Sequence, residues 1–144
     1  TNVAAIVAVD VVGYLPTNSL FTATAPRRLV DSRASGSTYD GLYAKIGTRA
    51  AKAGLGVKVL ARAGVPGDAS TVAVTITVVD PGAAGYVKVA PCGASTTGVN
   101  ITYAAHQTIT DTVLSRPGTA GKVCLASNQS VDVVVDLVGW FQRL

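Results

Sequence analysis

Residues 71–79 alternate. Val72, Val74, Ile76 and Val78 fall on one side; Thr71, Ala73, Thr75 and Thr77 fall on the other. A period of two predicts a half-buried antiparallel strand. Residues 85–90 continue the pattern, with Val87 and Val89 inward and Tyr86 and Lys88 outward. Further strands are expected at 57–61, 99–103, 108–114, 122–126 and 131–141, and residues 27–33 read as extended. Turn chemistry separates them: Gly64-Val-Pro-Gly67, Asp80-Pro-Gly82, Pro117-Gly118 and Asn128-Gln-Ser130. Residues 34–55, rich in Gly, Ser, Ala and Lys, predict a long loop with a helical turn near 48–53. About eight to ten short strands of this kind predict an all-β fold, an antiparallel β-sandwich or jelly roll. No linker divides the chain, so residues 1–144 are expected to form one domain.

The two ends echo each other. Residues 9–15 read Val-Asp-Val-Val-Gly-Tyr-Leu, and residues 135–141 read Val-Asp-Leu-Val-Gly-Trp-Phe. Asp10 matches Asp136, Gly13 matches Gly139 and Tyr14 matches Trp140, at an offset of 126 residues. Residues 3–12 are continuously apolar apart from Asp10, as in a strand buried on both faces. The segment 1–15 is expected to be the last strand of a preceding repeat, a strand donated to a neighbouring subunit, or a strand that pairs within its own domain near 131–141. A donated strand gives a head-to-tail contact, and a contact that does not close builds filaments.

Composition narrows the function classes. The chain has no Met and no Glu, and only 14% of residues are charged against 49% hydrophobic. So apolar a surface predicts that a partner chain covers part of it. The twelve basic residues give a net charge of +4 but are scattered, with only Arg27 and Arg28 adjacent, so nucleic-acid binding is not expected. No apolar run reaches the roughly 18 residues needed to span a membrane. The N-terminus has no basic region of a signal peptide, and the missing initiator Met fits a processed chain or an excised fragment. The two cysteines, Cys92 and Cys124, have no zinc spacing. A disulfide between them would close a loop of about 30 residues and add roughly 3 kcal/mol; two buried thiols are the alternative. A disulfide implies an extracellular location.

Taken in order, several segments resemble a repeat domain of secreted and surface proteins of actinobacteria and related bacteria. They are Arg28-Leu-Val-Asp-Ser-Arg33, Val65-Pro66, Thr75-Ile-Thr-Val-Val79, Gly85-Tyr-Val-Lys-Val-Ala-Pro-Cys-Gly93, Val99-Asn-Ile101, Val123-Cys-Leu125 and Val135-Asp-Leu-Val-Gly-Trp-Phe141. The likeness covers most of the chain. It departs at 34–55, and Thr75 stands where the pattern carries Asn. The resemblance implies an extracellular, often tandem, non-catalytic domain and transfers no site residues.

The polar residues offer little chemistry. Asp136 is in phase with Val134, Val138 and Trp140, and Asp10 with Ile6, Ala8 and Val12. A carboxylate facing an apolar side needs a partner. Arg28 and Arg33 are the best candidates, because Arg grips a carboxylate with two hydrogen bonds. A structural network of Asp10, Asp136, Arg28 and Arg33 is therefore expected. His106 is the only histidine, and no nucleophile motif accompanies it or Asp111. Asp31, Asp40, Asp68, Asp80, Asp111 and Asp132 are dispersed and form no calcium loop. Asn100-Ile-Thr102 and Asn128-Gln-Ser130 match the glycosylation sequon without further support. Tyr39, Tyr43 and Tyr86 are the candidates for a sugar contact. The expectation is a non-catalytic structural or adhesive module of an extracellular bacterial surface protein or fibre, self-associating or packed on neighbouring repeats. It needs no metal or cofactor. A carbohydrate-binding module for cell-surface glycans is the alternative.

Overall fold

The computed structural model describes residues 4, 9, 11, 14–16, 19–95 and 98–143. Among these residues are eight strands: β1 Phe21–Asp31, β2 Leu55–Lys58, β3 Thr71–Val79, β4 Gly85–Pro91, β5 Ile101–Tyr103, β6 Ile109–Ser115, β7 Lys122–Ser127 and β8 Asp132–Phe141. They form two four-stranded sheets, ordered β1-β8-β3-β6 and β2-β7-β4-β5, with antiparallel pairing throughout. The sheets pack face to face as a β-sandwich. Val72, Val74, Ile76 and Val78 of β3 and Val133, Val135 and Leu137 of β8 meet Val57, Val87, Val89, Ile101, Val123 and Leu125 from the other sheet. The alternation in β3 and β4 sets which residues these are.

β1 begins at Phe21, well before the extended segment expected from 27. Its first half holds exposed small residues and Pro26, which carry no period-two signal. The expected helical turn near 48–53 is not formed. Arg49 instead makes an antiparallel bridge to Val131, and the Ala53 amide closes a turn onto the Ala50 carbonyl at 3.1 Å. Most of the strand expected at 3–12 lies outside the described residues; of its described positions, 4, 9 and 11, Val9 and Val11 are exposed.

A bulge changes the facing of β8. Ala73 pairs with Gly139 and Val74 with Leu137, so Val138 is the extra residue. A bulge inserts one residue and re-aims the side chains beyond it. Trp140 therefore packs against the core, whereas Asp136 shares the outer face with Thr75 of β3 and Arg28 of β1. Asp136 and Trp140 thus face opposite sides of the sheet, whereas simple alternation placed them in phase. Gly139 sits in the register row after the bulge, where a Cβ would strike the Phe21 ring and lie 2.7 Å from the Thr22 carbonyl oxygen.

Cys92 and Cys124 form a disulfide. It joins the end of β4 to its neighbour β7, with Ala90 opposite Cys124 in the ladder. Among the described residues no helix is long and apolar enough to cross a membrane.

Candidate functional site

The charged chemistry of the chain gathers along β1. β1 is an edge strand, and residues 39–47 lie along its outer side. The Tyr39 amide donates to the Arg28 carbonyl at 3.0 Å, Asp31 to Tyr43 at 3.2 Å, Lys45 to Asp31 at 2.8 Å and Gly47 to Ser32 at 2.9 Å. The long loop is thus hydrogen-bonded to the sheet and covers the second half of this edge, which would otherwise be open to strand addition.

Arg28 stands opposite Asp136 in the β1–β8 register. Its Nε donates to Oδ1 at 3.0 Å and its Nη2 to Oδ2 at 3.3 Å, the fork geometry that suits a carboxylate. Its Nη1 reaches Asp31 Oδ2 at 3.3 Å. Arg33 does not reach Asp136. It grips Asp31 instead, with Nε at 2.8 Å from Oδ1 and Nη2 at 2.6 Å from Oδ2. Asp31 is the hub of this group, and its side chain is only 1% exposed. The Arg33 hydrogen bonds hold its carboxyl below the usual carboxylate range, and the nearby charges of Arg33 and Arg28 act the same way against the cost of burial. Arg28 is raised in turn, chiefly by its hydrogen bond to Asp136. Gly36 lets the turn after Arg33 fold over this carboxylate, because a Cβ there would lie 2.7 Å from it. Asp10 lies outside the described residues.

A second ion pair anchors the loop. The Arg62 side chain is 4% exposed. It donates twice to Asp40 at 2.8 Å, and to the carbonyls of Leu29 at 3.0 Å, Lys58 at 3.2 Å and Leu42 at 3.3 Å. The flanking Ala61 and Ala63 both have positive φ, at 53° and 57°, a conformation that costs about 1–2 kcal/mol for a residue with a Cβ. The Arg62 bonds hold the chain there. They also keep Asp40 below the ordinary carboxylate range. Neither Arg62 nor Asp31 stood out in the sequence. The one available signal for Arg62 was a lone cation between apolar residues just before the Gly64-Val-Pro turn.

The candidate sugar-binding tyrosines are separated by these contacts. The Tyr39 hydroxyl accepts from the Ala63 amide at 3.0 Å, and the Tyr43 hydroxyl accepts from the Lys58 amide at 3.3 Å. The Arg62 guanidinium lies 5.0 Å from the Tyr43 ring centre and 6.0 Å from that of Tyr39. Both tyrosines therefore brace the Arg62 knot. Tyr86 lies in the other sheet beneath the Lys88 ammonium, 5.6 Å from its ring centre. Tyr39 alone also borders a cleft, of about 560 Å³, with Pro26, Arg27, Arg28, Ser37, Thr38 and Asp136. Arg27 stacks over Tyr39 at 5.7 Å.

The remaining candidates have local structural roles. His106 Nδ1 meets Asp80 Oδ1 at 3.0 Å on an exposed turn, and Asp111 bonds the Thr112 amide. Both sequon asparagines serve the backbone: Asn100 accepts from the Val89 amide and Asn128 from the Tyr86 amide, each at 2.7 Å. Among the described residues no three His, Cys or Asp side chains converge as metal ligands. No protein-family model matches the chain, and no curated protein matches it.

Proposed function

We propose that this chain is a non-catalytic structural or adhesive module of an extracellular bacterial surface protein or fibre, joined to neighbouring copies through its N-terminal strand. One observation carries this reading. The β8 heptad is the middle of a sheet, while the matching heptad at 9–15 exposes Val9, Val11 and Tyr14 by 82, 86 and 88%. An apolar strand-forming segment left in water is an aggregation hazard unless a partner covers it. The disulfide suits an oxidising compartment. The Arg62–Asp40 pair braces the long loop to the β1 edge and the Arg28–Asp136 pair ties β1 to β8, which suits a load-bearing part. Electron microscopy of the native material tests the proposal. A fibre or regular array is expected, and dispersed single particles would contradict it.

The cleft beside Tyr39 favours a second reading, a carbohydrate-binding module. Tyr39 offers a ring next to Arg27, Ser37 and Thr38, an aromatic surface beside hydrogen-bonding groups. On a glycan array this reading requires binding that disappears in Tyr39→Ala. No binding by the parent chain would dismiss it.

A further inference from the structure

Resting on the structural-module reading, we infer that residues 1–15 are the β8 segment of a second copy of this fold, and not an extra strand for this one. The support is a residue-by-residue match to the demands of the β8 position. At the offset of 126, Thr1 and Asn2 correspond to Ser127 and Asn128. The Ser127 hydroxyl meets the Tyr103 hydroxyl at 2.6 Å, and Asn128 accepts from the Tyr86 amide at 2.7 Å. Thr1 keeps a hydroxyl, and Asn2 is identical. Asp10 corresponds to Asp136, which takes the two Arg28 hydrogen bonds. Gly13 corresponds to Gly139, where the Thr22 backbone leaves no room for a Cβ. Val9, Val11, Tyr14 and Leu15 correspond to Val135, Leu137, Trp140 and Phe141. Apolar patterning alone explains a strand; it does not explain Asn2, Asp10 and Gly13 falling where the fold uses Asn, Asp and Gly. Asp132 is the exception: it accepts from Ser32 and Thr48, and its counterpart is Ile6.

The β8 position of this copy is already filled, because residues 132–141 lie there between β1 and β3. The path of the chain is consistent with a second unit next door. Phe21 pairs with Phe141, so β1 starts and β8 ends at the same pole of the sandwich. The Gln142 amide donates to the Leu20 carbonyl at 2.9 Å, and the Ser19 amide donates to the Pro16 carbonyl at 2.9 Å. That last bond holds positions 16 and 19 within about 7 Å, as in a β-turn. Leu15, the counterpart of Phe141, is thus kept close to this pole. An apolar groove of about 430 Å³ opens there, lined by Leu20, Thr71, Leu114 and Phe141, with Leu114 60% exposed. Two units sharing the connector 16–20 would meet pole to pole across it.

The test is a two-unit polypeptide in which residues 16–126 directly precede the complete chain 1–144. The first unit then has its own β1–β7 and can obtain β8 only from residues 1–15. The expected result is two folded units, with about twice the calorimetric unfolding enthalpy of the single chain. Amide exchange at 9–15 should slow by about a hundredfold or more. Gly13→Val should unfold one unit of the pair and leave the melting of the single chain unchanged. One unit's enthalpy, or unprotected amides at 9–15, overturns the inference. In a control, residues 127–141 replace 1–15. If that control folds as two units while the first version does not, the segment itself is at fault. If neither does, the connector cannot join two such poles, and the inference fails equally. A fibre seen by microscopy alongside an unfolded first unit would remove only this inference. A folded first unit with no fibre or array would remove only the structural-module reading.

Discussion

Val135 and Val9 hold the same place in the same heptad, yet one is 2% exposed and the other 82%. Leu137 and Val11 differ still more, at 0 and 86%. The local sequence is nearly constant between the two, so it cannot be the cause. What differs is the neighbours. β8 lies between β1 and β3, with Arg28 across from its Asp and the Phe21 ring against its Gly. A heptad of this kind encodes a capacity for a central position; a partner with that position open must supply the burial. The hydrophobic gain, about 25 cal/mol per Å² of apolar surface removed from water, is realised at Val135 and Leu137 and withheld at Val9 and Val11.

The glycine of the heptad gives the largest expected difference between the two segments. Gly139→Val should cost about 4 kcal/mol or more, because the Thr22 backbone and the Phe21 ring must both move. Gly13→Val in the single chain should change stability by less than about 0.5 kcal/mol. Denaturant titration of the two variants reads this directly. Equal losses would mean that the N-terminal heptad packs on this domain. The next contrast is apolar. Leu137→Ala should cost about 3 kcal/mol through transfer and cavity terms, whereas Val11→Ala should be silent in the same titration.

The carboxylates give a smaller contrast. The Arg28–Asp136 pair is partly exposed, so Asp136→Asn should cost about 1 kcal/mol. Asp10→Asn should cost nothing in the isolated chain. Acid sharpens the same point. Asp31 and Asp40 are held below their ordinary range by Arg33 and Arg62. A depressed folded pKa adds stability that is complete above the unfolded value, about 3.9, and is lost as pH falls through the folded one. The melting temperature should therefore be flat from about pH 7 to 5 and fall below about pH 4, and Asp31→Asn should shrink that fall. Val9, Val11 and Tyr14 should be equally exposed across the whole range.

Much of this fold was legible because it depends on period-two patterning. Val72, Val74 and Val78 of β3, Val87 and Val89 of β4 and Val123 of β7 face the core as alternation requires, and the turn residues mark the ends of the strands. Alternation failed where the backbone broke its period. The bulge at Val138 turned Trp140 inward and left Asp136 on the outer face. The early half of β1, with Pro26 and small exposed residues, had no pattern to detect. The partner of Asp136 was foreseeable, since a carboxylate in a sheet needs a cation and Arg28 was available. The roles of Asp31 and Arg62 were not. Asp31 becomes a hub only when Gly36 folds a turn over it. Arg62 meets Asp40 across 22 residues of irregular chain, and no local spacing encodes that contact. The tyrosines looked like a ligand platform because their packing on Arg62 is a tertiary fact.

Hydrogen exchange of the amides at 9–15 measures the central claim most directly, compared between the isolated chain and the assembled native material. Rapid exchange is expected in the isolated chain and strong protection in the assembly, with 133–140 protected in both. Rapid exchange at 9–15 in both states would contradict it.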